Sequence, residues 1–515
     1  MSFRTAVGHQ VLHVDTGPAY SFFYLVDTEF RSSMVMRRIF SLARKAGYGS
    51  FVVDEIGEAD CPLLVEENVA LRKRLPEYSH SRVRKISFFA TPKAISPVPT
   101  SAFLGYAVFK EDFVTSQPNR PKAAHVFEAV MKPFRQKAEN NFVHCCRKYA
   151  VRTSVGDFTT EGVLYAQQND ITFVCAHVSL RTALSTVLPA GDVTYQEMNK
   201  TLGIDHTTRR VGGGIGLGPD DIEAVLRSHG IVWRTYIHEP KARVNLKQDY
   251  QRYLYGSIEC GMPALLGFET RAEKKGKPAD RHMICAFGHT FNEDAWVPAA
   301  HPMYFSESDG YFPSENWLST FVIHDDNVGP YQCVPRHYIT NKHFRLLIGL
   351  QRQAASLYYI EAEAVAFLAI TRIRETDQSD SVSSQDDYWY HRFKIFARFN
   401  GIVIRTLMLK RQEYIDHLIA IDAWNEKLST EHLTLLNSAL PDWVWVSEVS
   451  TLELFQASRR KFGEIIMRCD PGKGKTTFEK YFIAARLPRR LFMSSKSLKK
   501  PEITTVKSHA MLFSF

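Results

Sequence analysis

Cysteine is scarce in this sequence: eight of its 515 residues are cysteine, and no two of them form a CxxC pair. Structural zinc ribbons are built from such pairs, so no zinc ribbon is predicted. A chain of this length buries enough apolar surface to fold without disulfides, and we therefore expect reduced thiols. The cysteines are scattered along the chain at Cys61, Cys145, Cys146, Cys175, Cys260, Cys285, Cys333 and Cys469.

Long apolar runs are also lacking. The N-terminal stretch MSFRTAVGHQVLHVD has no apolar core of signal-peptide length. The nearest approach to a membrane span is LYYIEAEAVAFLAI, which carries Glu361 and Glu363. The hydrophobic and charged fractions, 45% and 23%, are ordinary for a globular protein. These features predict a cytoplasmic protein with no membrane span.

Two glycine-containing stretches resemble nucleotide-binding motifs but break the required spacing. CDPGKGKTT has Cys469 where a P-loop needs its first glycine. VGGGIGLGPDDIEAVL does not meet the GxGxxG spacing, because Pro219 stands where the third glycine is needed. Pro219 instead suits the first position of a helix, so a glycine loop followed by a helix is predicted. No cofactor is therefore expected.

Excess positive charge is concentrated near the C-terminus. The formal net charge is +9, and residues 458–500 contain 13 Lys or Arg against three acidic residues. A basic stretch of this kind could bind a nucleic acid, an anionic lipid surface or an acidic protein. The plainer interpretation is a solvated surface, and no zinc-finger spacing or aromatic-interleaved basic motif indicates sequence-specific recognition.

The predicted elements divide the chain into three parts. Residues 1–150 are predicted to form a mixed α/β domain of unknown role, with a helix in SSMVMRRIFSLARKAGYG and a strand in LGYAVFKEDF. Residues 151–340 carry the chemistry described below. Residues 341–515 are predicted to form a C-terminal α+β domain.

The C-terminal part begins with KHFRLLIGLQRQAASLYYIEAEAVAFLAITRIRE, which is predicted to be helical throughout. The polar stretch TDQSDSVSSQDD, residues 376–387, has no apolar period and is predicted to be a disordered loop. Further on, YIDHLIAIDAWNEKL indicates a helix, and DWVWVSEV and GEIIMRCD indicate strands.

Cys175 lies at the start of a predicted helix, which Pro189 ends. A helix N-terminus stabilises negative charge and favours the thiolate form of a cysteine. His177 is two residues further on, and residues two apart do not face each other on a helix, so a shared metal site is not predicted. Cys175 is either a nucleophile or a small buried side chain. The apolar stripe of the helix consists of Leu180, Ala183, Leu184, Val187 and Leu188.

A nucleophilic cysteine needs a base and a group that orients the base. His282 begins the apolar strand HMICAFG, which is predicted to end at Gly288. His289, just beyond that strand, is a rival base. Asp325 and Asp326 lie at the end of a later strand, where a carboxylate can hold an imidazole in one tautomer.

Two glutamines precede the cysteine. Gln167 and Gln168 lie eight and seven residues before Cys175. A glutamine amide at this place could donate a hydrogen bond to an oxyanion. The candidate residues therefore follow the order Gln, Cys at a helix start, His at a strand start and Asp at a strand end.

This order resembles that of papain-like cysteine peptidases, and it is most similar to the bacterial double-glycine leader peptidases, which process bacteriocin precursors. HMICAFG matches the histidine strand of that family residue for residue in type, and VIHDD matches its aspartate strand loosely. The resemblance covers about residues 160–340. The chain departs from the family pattern with Ala176 in place of a glycine and with Asn169 six residues before the cysteine, where the family has its glutamine.

The resemblance implies an α+β fold, in which a papain-like core with a helix packed on an antiparallel sheet is flanked by two mixed α/β domains. It implies that Cys175 attacks a carbonyl group, that His282 transfers the proton and that Asp325 orients His282. It further implies that Gln168 and the backbone N–H of Cys175 stabilise the oxyanion, while Asp326 competes with Asp325 for the third role. The expected activity is that of a cytoplasmic cysteine protease or amidase acting on a protein or peptide.

Two other functions remain open at the level of the sequence. The same fold could be a catalytically silent scaffold that binds a nucleic acid or an acidic protein through residues 458–500. It could also be a cysteine-dependent acyltransferase, which uses the same triad with an amine acceptor in place of water.

Overall fold

The computed structural model describes residues 9–13, 19–58, 61–91, 98–133, 141–169, 175–189, 191–205, 210–211, 214–215, 217–237, 250–269, 281–291, 310–336, 344–376, 388–422, 430–458, 460–488, 490–494, 502–505 and 512–513. No helix within these ranges has the length and apolar content needed to cross a bilayer. The α-helices are α1 (Ala19–Glu29), α2 (Met34–Lys45), α3 (Pro62–Arg74), α4 (Cys175–Val187), α5 (Tyr195–Leu202), α6 (Pro219–Ser228), α7 (Tyr250–Glu259), α8 (Tyr359–Thr376), α9 (Tyr388–Arg398), α10 (Arg411–Asp422), α11 (Thr430–Ala439), α12 (Leu452–Ser458) and α13 (Thr477–Tyr481).

The β-strands are between two and twelve residues long. They are β1 (His9–His13), β2 (Ser50–Ile56), β3 (Tyr78–Phe89), β4 (Phe103–Val114), β5 (Ala123–Met131), β6 (Asn141–Phe142), β7 (Arg147–Thr153), β8 (Gly156–Gly162), β9 (Arg210–Val211), β10 (Gly214–Ile215), β11 (Val232–Ile237), β12 (Ala264–Glu269), β13 (Arg281–Phe291), β14 (Phe312–Pro313), β15 (Leu318–Asp325), β16 (Gly329–Pro335), β17 (Phe344–Gln351), β18 (Ile402–Lys410), β19 (Trp443–Thr451), β20 (Arg460–Lys461), β21 (Gly463–Arg468), β22 (Phe482–Leu487), β23 (Arg490–Met493), β24 (Glu502–Thr505) and β25 (Leu512–Phe513).

The chain folds into two compact units that interleave along the sequence. Unit 1 consists of Met1–Asn245, Met262–Thr290 and Thr320–Leu350. Unit 2 consists of Leu246–Gly261, Phe291–Ser319 and Gln351–Phe515. Both contain helices and antiparallel strands, so the predicted α+β class is confirmed at this level. The domain limits at about residues 150 and 340 stay a prediction.

The first sheet of unit 1 is antiparallel throughout, with the strand order β1-β2-β3-β4-β5. The helix α2 buries its apolar stripe, and the ring of Phe40 meets those of Phe51 and Phe88 edge-on at 5.3 and 5.0 Å. Ser33 caps this helix by accepting a hydrogen bond from the backbone N–H of Met36. The helix predicted in SSMVMRRIFSLARKAGYG and the strand predicted in LGYAVFKEDF are confirmed as α2 and β4.

The second sheet of unit 1 has the strand order β11-β17-β12-β13-β15-β16, with β6 paired to β13. Its pairs β12–β13, β12–β17 and β15–β16 are antiparallel. The helix α4 packs against β12. β13 does not end at Gly288 as predicted, because His289 and Thr290 continue the strand by pairing with Phe142 and Asn141.

Unit 2 is built around a sheet with the order β14-β18-β19-β21-β22-β23-β24. β14 runs parallel to β18, and each later neighbouring pair is antiparallel. The predicted helix is confirmed as α10 up to Asp422, while residues 423–428 of that prediction lie outside the described residues, and the predicted strands are confirmed as β19 and β21. The basic stretch 458–500 does not lie wholly at the surface, because Lys461 and Arg486 are buried.

The helical prediction for the segment beginning at residue 342 is wrong in its first half. Residues Phe344–Gln351 form the strand β17, which pairs with β12, and the helix α8 begins only at Tyr359. The sequence FRLLIGL is a short continuous apolar run, whose periodicity does not distinguish a buried strand from a buried helix. The loop predicted at residues 376–387 lies outside the described residues from residue 377 onward.

Candidate active site

Cys175 is the first residue of the helix α4, as predicted. Its side chain is partly buried, while Leu180, Ala183 and Leu184 on the apolar stripe are fully buried. The N–H groups of the first helical turn point toward the N-terminus and carry partial positive charge. The side chain of Cys175 therefore lies at the electropositive end of the helix.

Both ends of α4 are fixed by hydrogen bonds to other elements of unit 1. One turn after the cysteine, the buried hydroxyl of Ser179 donates to the backbone carbonyl of Met283 on β13, at 2.9 Å. At the other end, the guanidinium of Arg147 donates to the carbonyls of Ser185 and Pro189, at 3.0 and 2.8 Å. A cation that satisfies the last carbonyls of a helix also interacts favourably with its dipole.

His282 lies next to Cys175, near the start of β13. Its Nε2 atom is 3.2 Å from Oδ1 of Asp325, and its ring lies close enough to the thiol of Cys175 for that thiol to raise the pKa of the imidazole. The structure therefore brings together three of the four residues that the sequence predicted as a site.

The turn between β15 and β16 holds the carboxylate of Asp325 in place. Oδ1 of Asp325 accepts a hydrogen bond from the backbone N–H of Asn327 at 2.8 Å, in the manner of an Asx turn. Gly329 completes the turn with φ +121°, a conformation that other residues rarely adopt. Burial raises the pKa of Asp325, but its hydrogen bonds and the charge of His282 lower the pKa by more than burial raises it. The net shift is therefore downward.

The imidazole of His282 is strongly basic. Burial lowers its pKa, but the hydrogen bonds to Asp325 and Cys175 and the charges of Asp325 and Asp326 outweigh burial and raise the pKa to about 10. At neutral pH the ring therefore carries a proton on both nitrogens. A protonated imidazole at this place can give its proton to a leaving group.

Asp326, the competing carboxylate, has a different environment. Its side chain is only 1% exposed, and its Oδ1 lies 3.5 Å from Nε2 of His282. Neither of its carboxylate oxygens accepts a hydrogen bond from the described residues. Burial, opposed by the charge of His282, raises the pKa of Asp326 to about 6. Asp325 therefore fits the orienting role better, because only its carboxylate is both hydrogen-bonded and held in the ionised form.

Gln168 is close to this group but does not contact the thiol directly. Its Nε2 atom donates to Oδ1 of Asn327 at 3.3 Å, and the amide nitrogen of Asn327 lies 3.5 Å from Nδ1 of His282. Gln167 has a structural role, since its side-chain oxygen accepts from the backbone N–H of Val126 on β5 at 2.9 Å. The choice of Gln168 over Gln167 agrees with these contacts, while its oxyanion role stays a prediction.

Three other polar residues that the sequence highlighted lie outside this group. His289 is seven residues from His282 on the same strand, so its side chain faces the opposite side of the sheet, and it is fully buried. His177 is buried, and its Nε2 pairs with Oδ1 of Asn199 at 3.1 Å. Asn169 is held by Oε1 of Glu67 at 2.6 Å, so it is not an oxyanion donor.

Two residues that the sequence reasoning missed also belong to the site. Asn327 connects Gln168 to His282, and Ser179 fixes the cysteine helix to the histidine strand. Ser179 could have been found from its spacing, because it is four residues after Cys175 and lies on the same side of the helix. The position of Asn327 depends on the turn after β15 and has no sequence signal of its own.

The same group contains three donors that could hold a metal ion. The ligand atoms of His282, Asp325 and Asp326 all lie within 4.8 Å of one another.

Comparison of the chain with protein-family models and with curated proteins finds no match. The function proposed below is therefore based on the geometry of the site.

Proposed function

We propose that this chain is a cysteine protease or amidase that cleaves a peptide or amide bond with Cys175 as nucleophile, His282 as acid and base and Asp325 as orienting carboxylate. The observation that carries the proposal is the contact of His282 with both other residues, to Asp325 through Nε2 and to the Cys175 thiol through its ring. These residues come from a helix N-terminus, a strand start and a strand end, which is the order of the papain-like peptidases that the sequence resembles. A papain-like core in unit 1 is part of this proposal.

The reaction starts from the form of the pair in which His282 already carries the proton, and the deprotonated sulfur of Cys175 attacks the substrate carbonyl. A carbon–sulfur bond forms, and the carbonyl oxygen becomes an oxyanion. When the intermediate collapses, the carbon–nitrogen bond breaks and His282 gives its proton to the leaving amine. Water then attacks the thioester and gives a proton to His282, the carbon–sulfur bond breaks, and the acid product leaves, which restores the deprotonated sulfur and the protonated His282.

The oxyanion needs donors close to the reacting sulfur. The backbone N–H of Cys175 is one candidate, because the first N–H groups of a helix have no partner within the helix. The side-chain amide of Gln168 is the other, and it is held near His282 through Asn327. In this proposal, Gln168 exchanges its contact with Asn327 for one with the substrate.

The test is the reactivity of Cys175 toward a small thiol-directed probe such as iodoacetamide, followed residue by residue by mass spectrometry at neutral pH. Cys175 should react faster than Cys333, which is an exposed cysteine of the same chain. His282→Ala should slow the labelling of Cys175 at least about tenfold, since positioned acid–base groups typically contribute more than this. His80→Ala, at an exposed position on β3, is the matched control and should leave the rate unchanged.

Labelling of Cys175 no faster than that of Cys333, or an unchanged rate in His282→Ala, would contradict the proposal. That result would favour the scaffold function, which needs no reactive thiol. An acyltransferase would share the fast labelling. It is separated from a hydrolase by adding an amine during turnover of an activated ester and measuring whether amide or acid is formed.

A further inference from the structure

The carboxylate of Asp326 is an unusual feature of this site, because it is buried beside the imidazole of His282, at 3.5 Å, and accepts no hydrogen bond from the part of the chain that the structure describes. Its side chain is 1% exposed, and neither oxygen has a hydrogen-bonding partner among the described residues. Buried polar groups are normally hydrogen-bonded, because an unpaired buried charge is costly. The role of Asp325 in the proposed triad does not account for a second acid, so the position of Asp326 calls for another explanation.

The geometry around Asp326 matches that of a metal site. Nε2 of His282 is 3.2 Å from Oδ1 of Asp325 and 3.5 Å from Oδ1 of Asp326. Two donors that bind zinc at about 2.0–2.1 Å in a tetrahedral arrangement are about 3.3 Å apart. The two distances lie on either side of this value, and the ligand atoms of Asp325 and Asp326 lie within 4.8 Å of each other, so the three groups converge on one point.

We propose that His282, Asp325 and Asp326 bind a divalent transition-metal ion, and that this ion switches off the thiol of Cys175. One imidazole and two carboxylates suit zinc better than magnesium or calcium, which prefer oxygen ligands alone. The ion gives Asp326 a bonded partner in place of its 3.5 Å ion pair with His282. The binding of the metal is independent of the proposed function, while the switching rests on it.

The switching follows from which nitrogen the metal occupies. A metal on Nε2 uses the lone pair of that nitrogen, so the proton of Nε2 is released to solvent. Asp325 then binds the metal and no longer orients the imidazole as a base. Both effects remove the acid–base function of His282, and reaction of the Cys175 thiol slows.

The first experiment measures zinc bound to the purified full chain after dialysis against a zinc buffer and removal of loosely bound ions. We expect the wild type to hold one more zinc ion per chain than Asp326→Asn does. The affinity of Asp326→Asn for zinc should be more than about tenfold lower, because even the outer partners of metal ligands contribute that much. Asp325→Asn should have the same effect. Asp157→Asn, at an exposed acid, and Cys175→Ala should bind as the wild type does.

A spectroscopic measurement on the wild type tests the ligand set without relying on any variant to fold. The zinc absorption edge should show only nitrogen and oxygen ligands at about 2.0 Å. A sulfur ligand at about 2.3 Å, loss of zinc in Cys175→Ala, or unchanged zinc binding in Asp326→Asn would each overturn the assignment.

The second experiment separates the metal site from the proposed function. The iodoacetamide labelling of Cys175 is measured with and without zinc, and the ratio of the two rates is compared between variants. Zinc should slow labelling more than about tenfold in the wild type, the scale of a lost acid–base group, and the ratio should approach one in Asp326→Asn. If zinc binds at these residues but the rate in zinc-free protein is already slow, the metal site stands and the proposed function fails. If labelling is fast and zinc has no effect on it, the switching is overturned.

Discussion

Asp325 and Asp326 are adjacent in sequence, yet their environments differ. Asp325 accepts a hydrogen bond from the backbone and faces the imidazole of His282, and its pKa is lowered. Asp326 is buried without a hydrogen bond from the described residues, and its pKa is raised to about 6. Two carboxylates whose pKa values move apart can serve different roles. The sequence identified both as candidates but could not separate them, since the difference arises from the turn that follows them.

The link between Asp325 and His282 predicts a pH-dependent stability. The pKa of His282 rises from an ordinary value of 6.5 to about 10 in the folded protein. The protonated ring therefore contributes stability that is complete below about pH 6.5 and is lost as the pH rises through about 10. Asp325→Asn should destabilise unit 1 by an amount on the order of 3 kcal/mol near pH 6, and by much less at about pH 10.5. Denaturant unfolding of the metal-free protein at both pH values measures the difference.

The control for this experiment is Asp157→Asn, because the side chain of Asp157 is 71% exposed and its ion pair with Arg152 is therefore weak. It should have little effect at either pH. A cost of Asp325→Asn that is equal at both pH values would show that the carboxylate does not act through the charge of His282.

At the scale of elements, the site depends on the alignment of the helix α4 with the strand β13. The hydroxyl of Ser179 links the two by donating to the carbonyl of Met283, the residue after His282. A shift of 1 Å at a reacting group is enough to cost much of its rate. Ser179 is therefore a positioning residue in the proposed function, since it acts through the spacing between Cys175 and His282.

Ser179→Ala should slow the labelling of Cys175 on the order of tenfold, and should cost about 1–3 kcal/mol of stability because the Met283 carbonyl loses its side-chain partner. Ser185→Ala is the matched control. Ser185 is buried in the same helix, but its hydroxyl donates to the carbonyl of Thr182 within that helix. A similar loss of labelling in both variants, or a normal rate in Ser179→Ala, would remove the positioning role.

The elements predicted correctly are those with a strong local pattern. Helices α2 and α6 have both an apolar period and recognisable end signals, including Ser33 before α2 and Pro219 at the start of α6. The two errors, at β17 and at the end of β13, both concern strand pairing. Pairing joins residues far apart in sequence, such as His289 and Phe142, and no local pattern contains that information.

At the scale of the whole chain, the two units could not be read from the sequence. Leu246–Gly261 belongs to unit 2 although the segments on either side of it belong to unit 1. Domains predicted from composition are contiguous in sequence, whereas each unit of the fold consists of segments that contact one another but are separated in sequence. The pair of His282 and Asp325 was nevertheless expected, because the order of the candidate residues along the chain resembles that of papain-like peptidases.

Part of the basic C-terminal stretch, residues 458–500, is buried in the folded chain. Arg405, Glu448, Glu464 and Arg486 lie directly opposite one another on four neighbouring strands of unit 2, and all four are buried. The ammonium group of Lys461 joins this row at 2.6 Å from Glu448. Part of the positive charge in residues 458–500 is therefore used inside the protein and is not available to a nucleic acid.

Arg486→Met should destabilise unit 2 by about 3–5 kcal/mol, because it removes the guanidinium that lies 3.0 Å from the buried carboxylate of Glu464. The double variant that also carries Glu464→Met should recover most of the loss, since an apolar pair can replace a buried ion pair. Arg152→Met, at an exposed pair, is the control and should cost less than about 1 kcal/mol. The three variants are compared by calorimetry at neutral pH.

If Arg486→Met costs no more stability than Arg152→Met, the row of buried charged residues does not stabilise the sheet. Arg486 could then be neutralised in a nucleic-acid binding test without unfolding unit 2. If the loss is as large as expected, such a test must change the exposed Lys473 and Lys475 instead.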